Sequence, residues 1–224
     1  LVEEEEKIMN SRETILQRIR SEVSKGPRVE LPPVAQVWPR ENPDACTMAA
    51  RFETELKAVH GEVIRAATMA DAQAKLAELV KSSGWTSVAP MDRPLCREAI
   101  KGLSTDMLHW PKPNWPPTEM AELSVSLIEP EALLADTGSC VITAPTGEDR
   151  LLCYLPPACV VIAKIDQLRE HLPAAWGEIM PRCAEKTASG EFLIVTGPSR
   201  TADIEKLLIL GVHGPKRLVV LLVG

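Results

Sequence analysis

The stretch EFLIVTGPSRTADIEKLLILGVHGP, residues 191–215, decides how the C-terminal part of the chain is read. Its apolar start, running into Gly197, predicts a strand, and the spacing of Ile204, Leu207 and Leu208 beyond the polar turn predicts a helix. A strand feeding a helix through a glycine turn is the unit of a wound α/β sheet, whose ligands bind at the carboxyl ends of the strands. Gly197 permits close approach of another backbone or a ligand, and Pro198 stiffens the turn. Ser199 or Thr201 then caps the helix, leaving other first-turn N–H groups free for an anion. Arg200 adds a guanidinium whose fork matches a carboxylate or a phosphate. On this reading Gly197, Ser199, Arg200, Thr201 and Asp203 form a pocket for a 2-hydroxy acid, a 2-oxo acid or a phosphate. The same residue types also describe an ordinary capped helix, with Asp203 and Glu205 favoured by the macrodipole, and they leave both readings open. His213 falls at the far end of the expected helix, about 14 Å from the turn at ~1.5 Å per residue, and joins the pocket only through a shorter helix or a second subunit.

Outward from this turn, helix and strand alternate. Residues 47–59 have helical spacing, GEVIRA (61–66) is a short strand, and MADAQAKLAELVKSSG (69–84) is a helix that Gly84 ends. WTSVAP (85–90) is another short strand; one more helix follows, and then a Trp- and Pro-rich loop over 110–117. Residues 130–168, PEALLADTGSCVITAPTGEDRLLCYLPPACVVIAKIDQL, read as a helix, a glycine turn at Gly138, a strand, a hairpin turn at TGED, a second strand and a buried apolar strand. The pair Pro156 and Pro157 cannot sit in a central ladder, so residues 155–158 are an edge, a kink or a loop. ADTGS (135–139) is the second candidate turn: it groups Asp136, Thr137 and Ser139 around Gly138, as oxygen ligands or as a helix C-cap. The alternation predicts an α/β fold, a mixed sheet with helices on both faces.

Toward the N-terminus, Ile8, Ile15, Ile19 and Val23 lie at helical spacing, and residues 24–43 are too rich in Pro for a regular element. The chain therefore reads as an N-terminal helix and Pro-rich arm over 1–45 and an α/β domain over 46–224. Helix and arm lie across the domain or reach a second subunit, which leaves homo-oligomerisation open.

The net charge of -6 and pI near 5.4 argue against nucleic acid as a partner. No apolar stretch approaches the roughly 18 residues of a membrane span, and the acidic start has neither the basic nor the apolar region of a signal peptide. The expected compartment is the cytoplasm. The six cysteines (Cys46, Cys96, Cys140, Cys153, Cys159 and Cys183) form no CxxC pair and read as reduced core thiols. Dinucleotide fingerprint, P-loop, nucleophile elbow and metal-ligand cluster are all absent from the sequence.

Taken together, VTGPSRTADIEKLLILGVHGPKRLVVLLV (195–223), LLADTGSCVI (133–142) and LPPACVVIAKIDQL (155–168) resemble the LUD domain, in particular the lactate-utilisation protein C family of bacteria. The helix SRETILQRIR and the length of the chain fit as well. The resemblance implies a three-layer fold of the NagB/RpiA/CoA-transferase type. It also implies a role beside two iron–sulfur proteins in oxidising L-lactate to pyruvate, as one subunit of an L-lactate dehydrogenase-type oxidoreductase complex. The clusters would then belong to the partner subunits, with no cofactor in this chain and a small carboxylate such as L-lactate or pyruvate as ligand. The family pattern TGPSRTADIE falls on residues 196–205 and GVHGP on 211–215, which places Gly197, Ser199, Arg200, Thr201, Asp203 and His213 in the implied site, with Thr137 and Gly138 from the second turn. Asp136 stands where the family pattern has Glu, and its shorter side chain reaches less far. Two other readings stay open: a stand-alone CoA-transferase-like or sugar-phosphate-isomerase-like enzyme, although Glu205 and Lys206 sit on an ordinary-looking helix, and a scaffold or regulatory subunit without a site of its own.

Overall fold

The structure is a computed structural model that describes residues 2–25, 38, 41–183, 192–202, 208–210 and 214–224. The chain divides into two units, Leu1–Val37 and Trp38–Gly224. The first carries helix α1 (Val2–Lys25), in which the expected amphipathic segment lies, with Ile15, Ile19 and Val23 exposed.

The second unit opens with α2 (Ala45–Ala58), capped by Asp44, whose carboxylate accepts the Thr47 N–H at 2.8 Å. Next come β1 (Glu62–Ala66), α3 (Met69–Ser82, capped by Thr68), β2 (Val88–Pro90), α4 (Pro94–Ala99) and the short α5 (Pro117–Ala121). The middle of the unit supplies β3 (Val125–Ile128), β4 (Ala132–Leu134), β5 (Ser139–Thr143), α6 (Gly147–Leu152) and β6 (Ala158–Lys164). Then follow β7 (Leu168–Arg169), α7 (Leu172–Cys183), β8 (Phe192–Val195), β9 (Arg200–Ala202), β10 (Leu208–Leu210) and β11 (Arg217–Val223).

The expected α/β fold is found, with the strands divided between sheets. The larger is wholly parallel, in the order β1-β11-β6-β3-β2, and the mixed pairing belongs to a second sheet, β7-β4-β5-β8. Every residue of β6 but Lys164 and every residue of β11 but Arg217 is buried. Successive side chains of a strand point to opposite faces, so the parallel sheet is covered on both. The second sheet alternates in the same way. Leu133, Cys140 and Ile142 join the main core, whereas Ala132, Leu134 and Val141 pack with Ala175 and Ile179 of α7. Parallel sheet, shared core, mixed sheet and α7 thus follow one another, and α7 is the cover of the mixed sheet's outer face.

Three local expectations are corrected. Residues 132–134 form strand β4 instead of a helix; with both faces buried, an apolar run loses the alternation that marks a strand. TGED opens helix α6 instead of turning a hairpin: Thr146 Oγ1 accepts the Asp149 N–H at 3.1 Å and donates to its carboxylate at 2.7 Å, a capping arrangement built from the same letters. Where a helix was expected from residue 199 onward, β9 and β10 pair antiparallel, Thr201 opposite Ile209. Leu208, Ile209 and Leu210 are a continuous apolar run that suits either element, and cross-strand pairing decides it.

Cys96, Cys140, Cys153 and Cys159 are buried and Cys46 is exposed. Burial pushes the four inner thiols well up, Cys159 to about 12. Since only the thiolate attacks a disulfide reagent, we expect Ellman's reagent to label Cys46 quickly in the native protein and these four only after unfolding, as read by peptide mapping. Fast labelling of any of the four contradicts this packing.

Candidate functional site

The two glycine turns singled out in the sequence meet. Strands β5 and β8 pair antiparallel with Cys140 opposite Val195, which sets Ser139 beside Thr196 at the end of the mixed sheet. Ser139 Oγ lies 2.6 Å from Thr196 Oγ1 and 2.8 Å from Thr137 Oγ1, and Thr137 Oγ1 donates to Asp136 Oδ1 at 3.3 Å. Both turns are seated on the end of α2. A Cβ on Gly138 would lie 2.3 Å from the Leu56 nitrogen, and one on Gly197 2.7 Å from the Val59 oxygen. Positive φ at both, +64° and +79°, completes the reason that glycine stands there.

This hydroxyl and carboxylate row forms the polar end of a groove of about 700 Å³ on the α7 side of the mixed sheet. Its walls are Leu134 and Ile194 from the sheet, Leu172, Pro173 and Trp176 from the first turns of α7, and Trp38. His171 fixes the start of that helix, its Nδ1 accepting the Ala174 N–H at 3.1 Å. Trp38, Trp176 and Ile194, each at least 42% exposed, are large apolar side chains gathered at this one groove. Trp176 is steadied edge-on by Phe192, ring centres 5.6 Å apart.

The other predicted residues are placed differently. Ser199 donates its N–H to the Pro215 carbonyl at 2.8 Å, and a Cβ on Gly214 would lie 3.1 Å from the Ser199 Cβ. Gly214 and Pro215 thus lie beside Ser199 of the first turn. Arg200 and Thr201 are strand residues paired with Leu210 and Ile209. The helix N-terminus that was to cradle an anion is not formed at residues 200–202, which lie in strand β9. Asp203, Glu205, Lys206 and His213 lie outside the described residues.

A polar knot that the sequence did not announce ties the two sheets together at the carboxyl ends of β2 and β3. Arg93 donates to Glu131 Oε1 at 2.8 Å and to the carbonyl and hydroxyl oxygens of Thr143 at 2.8 and 2.9 Å. Beside it Glu129 accepts the Leu95 N–H at 2.7 Å, and burial raises its carboxyl above the usual range. The groove's tryptophans were also missed, because nothing local marks Trp38 and Trp176 as neighbours of one site. Among the described residues there is no group of three His, Cys, Asp or Glu placed to hold a metal ion, and no helix is long and apolar enough to cross a membrane.

The sequence pattern of the LUD domain matches residues 49–223. The chain belongs to the LUD domain family. Among LUD-related proteins, lactate utilization protein C of Halalkalibacterium halodurans is 33% identical over 108 residues, covering 44% of this chain and 43% of that protein. The uncharacterized protein YkgG of Escherichia coli is 31% identical over 125 residues, 49% of this chain and 51% of that one. In such matches the chain spans about half the length of the relative or less. Lactate utilization protein C of Geobacillus thermodenitrificans aligns over 96% of this chain and 97% of its own length at 25% identity. Among solved structures, a DUF162 family protein of Deinococcus radiodurans superposes with a TM-score of 0.57 at 16% identity, over 81% of this LUD chain and 99% of that one, a likeness of fold.

Proposed function

We propose that this LUD protein serves in the utilisation of L-lactate in the cytoplasm, as a subunit that works with iron–sulfur partners when L-lactate is oxidised to pyruvate. The observation that carries the reading is the alignment with a lactate utilization protein C over nearly the whole of both chains. The small carboxylate, L-lactate or pyruvate, is assigned to the turn of Gly197, Ser199, Arg200, Thr201 and Asp203, with Arg200 as its charge partner and His213 at its border. Thr137 and Gly138 bound the same end of the mixed sheet.

The test is an assembly reconstituted from this protein and its iron–sulfur partners, with lactate-dependent dye reduction as the readout. Arg200→Ala is expected to lower that rate about 10-fold or more, the scale of a lost hydrogen bond to a charged group, with an unchanged circular dichroism spectrum. Unchanged activity would remove Arg200 from the site. Normal growth on L-lactate of a strain lacking the gene would remove the role itself.

A further inference from the structure

The row of hydroxyls at the end of the groove has a direction. A carboxylate only accepts, so the Thr137 hydroxyl donates its single hydrogen to Asp136 at 3.3 Å. Thr137 is then left to accept from Ser139 at 2.8 Å, and Ser139 in turn to accept from Thr196 at 2.6 Å. The row ends at Thr196 with its hydrogen turned inward and its lone pairs toward the groove. This polar end asks for a hydrogen-bond donor.

The rest of the groove says what carries the donor. Two tryptophans, with Leu134, Leu172, Pro173 and Ile194, make an apolar wall, and no described lining residue is cationic. A carboxylate or phosphate would meet the Asp136 carboxylate and oxygen lone pairs, like charge with no cation among the described lining residues. A volume of about 700 Å³ falls in the range of pockets that take ligands far larger than a three-carbon acid. We infer that this groove, whose polar end adjoins the carboxylate turn at Thr196, binds an uncharged aromatic ligand that donates a ring O–H or N–H to Thr196 Oγ1 and lays its rings on Trp176 and Trp38. The inference does not depend on the lactate reading.

Three probes of one shape test it on the full chain, by calorimetry and tryptophan fluorescence: 2-naphthol, 2-methoxynaphthalene and 2-naphthoate. The naphthol is expected to bind about 10-fold more tightly than the methyl ether, which leaves the Thr196 acceptor unpaired, and the naphthoate more weakly still. Asp136→Asn supplies the decisive readout. The amide can donate to Thr137 and let the row reverse, so the preference for naphthol over its ether should fall to near unity, while Trp176→Ala weakens both alike. Equal binding of naphthol and ether by the native protein, or a preference that survives Asp136→Asn, would overturn the inference. So would tighter binding of 2-naphthylmethylammonium than of naphthol, since that would make the site one for cations.

Discussion

Replacing Arg93 by Met should lower the melting temperature by about 10 °C. The guanidinium side chain is 19% exposed and its partner Glu131 only 6%. Breaking a buried ion pair from one side costs about 3–5 kcal/mol, because the remaining charge keeps its desolvation penalty and loses its partner. In a domain of this size each kcal/mol is worth roughly 2–4 °C. Arg93 also joins elements that have no ladder between them: it leaves the end of β2 and reaches Glu131 before β4 and Thr143 at the end of β5. Arg93→Lys should fall between, since a lysine keeps the charge and gives up the fork that serves both partners. The double change Arg93→Met, Glu131→Leu should recover much of the loss, because apolar groups in place of both charges remove the penalty as well as the attraction. Thermal melts of the variants decide it; a loss under about 2 °C for Arg93→Met would mean that the knot adds nothing to stability.

Part of the parallel sheet was legible because its strands are short apolar runs, as in GEVIRA and ACVVIAK. Their order was not, since the pairing of Glu62 with Val219 joins distant parts of the chain and no local letter encodes it. The errors share one cause. EALL, with both faces buried, shows no period; TGED carries the same residues whether it turns a hairpin or caps a helix. SRTADIE has the chemistry of a helix start, yet the described flanks at 200–202 and 208–210 gain more from pairing with each other. For the candidate site, each glycine turn was readable by itself. That Ser139 touches Thr196 was not, because the contact is fixed by the β5–β8 register, and the tryptophan wall exists only once α7 lies on that sheet.

The glycines give the sharpest test of how that site is held. Gly84 and Gly138 have nearly the same left-handed backbone, φ +67° and +64°, but opposite surroundings. A Cβ on Gly84 meets nothing within 4 Å, so Gly84→Ala should cost only the conformational penalty of an L residue there, about 1–2 kcal/mol. A Cβ on Gly138 would stand 2.3 Å from the backbone nitrogen of Leu56 and 2.7 Å from its Cα. Helix backbone cannot step aside as a side-chain tip can, so Gly138→Ala carries the same penalty plus that of overpacking, about 1–3 kcal/mol more. Denaturant unfolding of the two variants should therefore separate them by at least about 1 kcal/mol, and a surviving fold should relieve the clash by lifting the turn off α2. Lifting it moves Thr137 and Ser139 with it, and the oriented row that ends at Thr196 is broken. Gly138→Ala is thus expected to lose stability and the preference for a donor-headed ligand together, while Gly84→Ala keeps the preference. Equal stability losses in the two variants would mean that the turn does not rest on α2, and the geometry derived for the polar end of the groove would go with it.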